Sequence, residues 1–205
     1  MKDTKEKILV ASLELFASKG YEATSVSDIA EKLGITKGAL YKHYKNKQDI
    51  FDSVLDETER RDAEAAREFS LPETELTDNL DEYSKATVES VFDFGIDRFK
   101  YWTQQEFPSL FRRMLTIEQY RSHELMRLYQ QYFISGPLDY TIDIFVSNKT
   151  EKPIETATAL CSAMVMYYAI YDSAENKEAA VSDFERYVEN LRSSLNVQKR
   201  KENLS

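Results

Sequence analysis

Between Thr24 and Lys47 the chain sets small, polar and basic residues at the start of a short helical stretch, Lys37-Gly-Ala-Leu-Tyr-Lys-His-Tyr44. With Leu40 and Tyr44 turned to a small core alongside Leu33 and Ile35, the residues Lys37, Tyr41 and Lys42 point elsewhere. Gly38 and Ala39 leave the first turn slim, so that a backbone could come close to a duplex. A helix entering a major groove works in this way, its first residues at base edges and flanking polar groups on phosphates. Bond-making chemistry finds little support. His43 and His123 are far apart in sequence, and Cys161 has no histidine neighbour. No His-Glu-x-x-His, Gly-x-Ser-x-Gly, Walker or dinucleotide loop occurs, and soft ligands are too few for a structural zinc. The expectation is a non-enzyme with no catalytic residues, no metal and no cofactor.

Short helices must hold this stretch. Ser25 opens a Ser-x-x-Asp box with Asp28, and a helix over about 26–33 buries Ile29, Ala30 and Leu33. Leu33-Gly34-Ile35-Thr36 is a connection of helix-turn-helix length with a glycine at its turn. Thr36 caps a helix over about 37–44, and Asn46, with Asp49, caps the next, which continues to about Phe69. Upstream, Ile8, Leu9, Leu13 and Phe16 share one face of a helix over about 4–19, capped by Asp3 with Glu6 and ended by Gly20.

In order along the chain, Ile8, Leu9, Ala11, Phe16, Gly20-Tyr21, Thr24, Val26, Ile29-Ala30, Gly34-Ile35-Thr36, Lys37-Gly38, Leu40-Tyr41, His43-Tyr44 and Lys47 form a pattern at fixed spacing. It resembles the DNA-binding pattern of the TetR family over about residues 4–55, with Tyr44 where that family more often has phenylalanine, a change that adds a hydroxyl in need of a partner. The resemblance implies an all-α chain: a three-helix helix-turn-helix domain over 1–47, a connecting helix over 48–70, and a helical effector-binding and dimerisation domain over 71–205. It implies base contacts from Lys37 and Gly38, joined by Lys42, and phosphate contacts from Thr24 or Ser25, Thr36, Tyr41, His43 and Lys47. The partners implied are double-stranded DNA with a palindromic operator, a second copy of the chain, and a small-molecule effector that releases a repressor from DNA. The alternative is a dimeric architectural or interaction DNA-binding protein without an effector.

The rest of the chain is consistent with such a body. The net charge is −9, yet residues 1–50 hold nine Lys/Arg against seven Asp/Glu, so the head is slightly basic and the body acidic. With five glycines and four prolines in 205 residues, long helices are favoured over many turns. No run of about 18 apolar residues suggests a membrane span, the N-terminus lacks secretory-signal character, and one cysteine fits a reducing cytoplasm. Leu71-Pro72 to Asn79 reads as a linker, Pro108 as a helix start, Gly136-Pro137 as the end of a helix over about 122–134, and Asn148–Pro153 as a polar break. Two final helices cover about 154–173 and 178–196, with a fraying tail from Gln198. Their seams, through Cys161, Met164 and Tyr168 and through Phe184, Val188, Leu191 and Leu195, suit either an internal core or a dimer interface. The aromatics between 84 and 146, among them Phe92, Phe99, Trp102, Phe111, Tyr129 and Phe133, suit either plain core or the wall of an effector pocket, where Asp97 and Glu106 could attract a cation.

Overall fold

The computed structural model describes residues 2–68 and 86–202, and every regular element among them is a helix. They are α1 (Lys2–Lys19), α2 (Val26–Lys32), α3 (Lys37–Tyr41), α4 (Lys47–Glu68), α5 (Val88–Gln104), α6 (Glu106–Glu118), α7 (His123–Phe133), α8 (Ser135–Ser147), α9 (Pro153–Ser173) and α10 (Lys177–Glu202). None of the described helices is long and apolar enough to cross a membrane.

Two compact units emerge, and neither follows the order of the sequence. The first joins the described residues up to Glu64 with Gln104–Tyr129, so α6 and most of α7 belong with the head. Its centre is Ile8, Leu13 and Phe16 of α1, Ile29 of α2, Leu40 of α3 and Ile50 and Val54 of α4, all fully buried. Helix α6 packs along α1 and buries Leu110, Phe111, Met114 and Leu115. Arg61 of α4 lies 4.5 Å over the Phe107 ring of α6 and reaches Glu6 of α1 at 3.4 Å, which ties three helices at one side chain.

The second unit takes in the described residues of 65–103 and 130–205. Helix α9 packs against α8 and α10. The Phe99 ring stacks on Tyr168 at 5.6 Å and meets Phe184 at 4.2 Å, while Trp102 meets Phe133 edge-on at 4.9 Å. Between α8 and α9 the chain turns within a few residues: Lys149 and Lys152 adopt left-handed φ of 52° and 50°, and Asn148 Nδ2 donates to the Ala86 carbonyl at 2.9 Å.

Several local expectations shift. Helix α1 already begins at Lys2, so Asp3 lies inside the helix instead of capping it. Helix α3 stops at Tyr41, short of 44, where the His43 amide closes a tighter three-residue turn on the Leu40 carbonyl. Gly136-Pro137 does not end a helix; α7 stops at Phe133, and Pro137 stands third in α8. Pro108 is likewise third in α6 and not first. Both prolines fall where helix N–H groups have no partner within the helix, so neither breaks anything. Helix α10 continues through Gln198 to Glu202, a stretch of good helix formers. Phe69 and the expected linker 71–79 lie outside the described residues.

Candidate nucleic-acid interface

Local hydrogen bonds hold the helix-turn-helix at each joint. Ser25 Oγ accepts from the Asp28 amide at 3.2 Å, and the Asp28 carboxylate accepts from the Ser25 amide at 2.8 Å. That reciprocal box starts α2 and holds the Asp28 carboxyl below its usual range, chiefly through the Ser25 amide. At the other end Gly34 donates to the Glu31 carbonyl and Ile35 to Ala30, both at 3.0 Å, which is the paired closure of a Schellman motif. Gly34 sits at φ +65°, and a Cβ there would meet nothing within 4 Å, so backbone geometry alone calls for glycine. Thr36 Oγ1 then accepts from the Ala39 amide at 3.1 Å and starts α3.

Helix α3 has five residues and buries Leu40 completely. Lys37, Gly38 and Lys42 are exposed, Tyr41 is 51% exposed, and His43 is half-buried. Tyr44 is buried, and its hydroxyl finds the Lys5 carbonyl at 3.5 Å; burial pushes its pKa up to about 12. Asn46 Oδ1 accepts from Asp49 N at 2.8 Å, and Asp49 Oδ2 accepts from Lys45 N at 2.7 Å, starting α4 as the sequence implies.

Two of the nine residues expected at DNA turn inward. Thr24 is 1% exposed and its hydroxyl donates to the Gly20 carbonyl at 2.8 Å, so it closes the end of α1 and offers nothing to a phosphate. Lys47 is half-buried: its ammonium donates to the carbonyls of Tyr21 at 2.7 Å and Glu22 at 3.4 Å, and lies 4.2 Å over the Tyr21 ring. At most its third N–H faces outward. Ser25 and Thr36 remain exposed at helix starts, where a phosphate could meet hydroxyl and amides together.

Tyr21 and Glu118 carry parts of the head that sequence reasoning missed. The Tyr21 ring lies edge-on to Phe16 and to Phe51, each at 5.1 Å, and its hydroxyl donates to Gln48 Oε1 at 2.8 Å. Its amide donates to Glu118 of α6 at 3.2 Å. Gly20-Tyr21 belongs to the helix-turn-helix pattern, and that was the available signal; nothing near position 118 in the sequence announces its carboxylate.

The aromatic set of the middle segment divides between the units. Phe92, Phe99, Trp102 and Phe133 are buried in the second, whereas Phe111 and half-buried Tyr129 belong to the first. In the second unit a cavity of about 20 Å³ is lined by Val88, Glu89, Phe92, Thr150, Glu151, Arg192 and Leu195, room for about one water. Of the six expected aromatics only Phe92 lines it. The two carboxylates expected beside a pocket are also divided: Asp97 of the second unit faces Arg98 at 3.1 Å, and Glu106 rims an open groove on the first.

The expected interface residues also separate. Cys161, Tyr168, Phe184, Val188 and Leu195 are buried within a single copy, which makes their seam internal core, and Met164 and Leu191 are half-buried. What α9 exposes is a different stripe at four-residue spacing: Ile154, Thr158, Ser162, Met166 and Ile170.

Comparison with known proteins agrees with this geometry. Residues 8–54 match the model of the bacterial regulatory proteins, tetR family. The HTH-type transcriptional regulator YerO of Bacillus subtilis is 43% identical over 56 residues, 27% of this chain and 19% of YerO. The matched segment therefore spans well under two thirds of that relative. Over nearly the whole chain the fold is that of NalD, the secondary repressor of the MexAB-OprM multidrug efflux pump in Pseudomonas aeruginosa (TM-score 0.61, 23% identity, 94% of this chain and 97% of NalD). It is also that of SmeT in complex with triclosan (TM-score 0.61, 19% identity, 94% and 91%). Residues 8–54 thus carry the N-terminal segment shared by bacterial regulatory proteins of the tetR family.

Proposed function

We propose that the chain is a DNA-binding transcriptional regulator that reads a palindromic site as a homodimer. The observation that carries this reading is the face of α3. Lys37, Gly38 and Tyr41, with Lys42 just after them, stand exposed on a five-residue helix whose start is fixed by the Thr36 side-chain cap and whose preceding turn is closed by a Schellman motif. Lys37 and Gly38 meet base edges, with Lys42 beside them, while Ser25, Thr36, Tyr41 and His43 take phosphate oxygens. Lys47 braces the head and contributes at most one N–H to a phosphate.

One such helix reads too few bases for specificity, which is the physical reason for a second copy. The exposed stripe of α9 is the face that would pair. Over Pro153–Ser173 the only charged residues are Glu155 and Asp172, near the two ends. Repression, and release by a small-molecule effector that shifts α4 and so respaces the two heads, complete the reading. A repressor and a triclosan-bound protein of the same fold support it. The tight ring packing of Phe99, Tyr168 and Phe184 favours a second reading, a dimeric DNA-binding protein with no effector.

The test is selection of bound fragments from a random duplex pool by the full chain at near-physiological salt. A recovered palindrome with half-sites about one helical turn apart supports the reading. Retention without sequence preference overturns specific regulation. Once a site is in hand, a compound that both releases it and raises the melting temperature separates the effector reading from the architectural one.

A further inference from the structure

The turn that joins α1 to α2 is held from two directions. On one side the Lys47 ammonium takes the carbonyls of Tyr21 and Glu22. On the other, Glu118 at the end of α6 accepts the Tyr21 amide at 3.2 Å. Glu118 is 1% exposed, and its charge is met by Arg121 Nη1 at 3.0 Å. A carboxylate with that little access to water is costly unless its hydrogen bonds stay in place. Glycine at residue 20 keeps that space open. At φ +93° a Cβ on Gly20 would lie 2.7 Å from Glu118 Oε1 and 2.5 Å from Arg121 Nη1. Thr24, closing back on the Gly20 carbonyl, passes this anchorage to the cap of α2 one residue later.

We propose that Glu118 is a positioning residue for the reading head: it fixes the Gly20–Tyr21 turn, and through it the start of α2 and the placement of α3. The proposal rests on the DNA-binding reading for its consequence, but the latch itself is a property of the free protein. Helices α2 and α3 have seven and five residues, too short to be stable on their own. Their placement depends on such tertiary anchors, and an anchor loosened before binding is entropy that DNA must then restore.

The experiment compares Glu118→Ala and Glu118→Gln with the unaltered full chain. Two readouts are taken: hydrogen exchange of the Tyr21 amide and of α2, and affinity for the tightest duplex recovered from a random pool. Alanine removes the acceptor, and exchange at Tyr21 and the start of α2 should speed about tenfold or more, with α5, α9 and α10 unchanged. Duplex affinity should fall roughly tenfold. Glutamine keeps an oxygen for the Tyr21 amide and should recover most of the protection, a rescue that simple loss of packing would not give. A folded Glu118→Ala chain with unaltered Tyr21 exchange and unaltered affinity overturns the proposal. If alanine prevents folding, Gly20→Ala against Gly34→Ala supplies the decision. Both place a methyl at left-handed φ, but only the first enters the space of Glu118, so equal exchange and affinity in the two would also overturn it. If the unaltered chain binds no duplex at all, the DNA reading falls, and the exchange result still decides the latch.

Discussion

Replacing Met166 by glutamate tests where two copies meet. Met166 is 52% exposed and Ile170, one turn on, is 40% exposed, on a helix face that carries Thr158 and Ser162 and no charge between Glu155 and Asp172. If roughly 100 Å² of Met166 becomes buried on pairing, its contribution is about 2.5 kcal/mol per copy at ~25 cal/mol per Å². Two-fold symmetry counts the site twice, for about 5 kcal/mol. Even half that burial leaves a dissociation constant weakened roughly 50- to 100-fold, before any cost of burying two carboxylates against each other. Sedimentation velocity over a dilution series reads the change directly. The expected result is a monomer at concentrations where the unaltered chain is a dimer, with the secondary structure intact. Phe184→Ala is the contrast. Phe184 is fully buried within one copy, so its loss should cost about 3–5 kcal/mol of unfolding free energy, seen as a lower melting temperature. A Met166→Glu chain that dimerises as tightly as the original refutes the placement of the interface on this stripe.

Three other outcomes are expected. Lys37→Ala should relax base preference at one position of each half-site, by about 1–3 kcal/mol of discrimination, whereas Tyr41→Phe, which takes a hydroxyl from a phosphate, should weaken all duplexes alike; selection from a random pool separates the two. The Tyr44 phenol ionises near pH 10.0 when unfolded and at about 12 in the fold, so the stability it lends is whole below pH 10 and is lost as pH rises through 12; alkaline unfolding of Tyr44→Phe should lack that part of the decline. Burial pushes the Cys161 thiol up to about 11, so at pH 7.5 a maleimide should leave the native chain unmodified and label it once denatured.

The head was legible from sequence because its signals are local. Ser25 with Asp28, Gly34, Thr36 and Asn46 with Asp49 are caps and turns whose partners lie within a few residues, and the structure forms each of these bonds. The side chains that turn inward there are Thr24, whose hydroxyl closes on the Gly20 carbonyl, and Lys47, whose partners lie far along the chain. A lysine at a helix start looks the same in sequence whether it faces a phosphate or a carbonyl 26 residues earlier. Position in three dimensions also decided the body. The 3–4 spacing of Phe184, Val188, Leu191 and Leu195 identifies a packed helix face, but periodicity cannot say whether the neighbour is the same copy or another. The exposed stripe on α9 was harder to see, because Thr158 and Ser162 in its middle read as polar surface. Pro137 and Pro108 misled for a related reason: a proline marks a helix boundary, and only the hydrogen-bond ladder tells on which side of the boundary it falls.

A recognition helix of five residues has consequences for control. Too short to hold itself, it takes its geometry from what the head packs against, and in this chain that includes α6 and the end of α4 up to Glu64 as well as α1 and α2. Arg61 of α4 bridges to Glu6 and Phe107, Lys47 holds Tyr21 and Glu22, and Glu118 holds the Tyr21 amide. Each of these joints is a polar bond or a cation over a ring, worth on the order of 1–3 kcal/mol. That is the size of an allosteric coupling, whereas the buried apolar centre around Phe16, Ile29 and Leu40 is too costly to rearrange with a ligand. Any signal that alters DNA binding by reshaping the head should therefore act at these three joints and leave the apolar centre as it is.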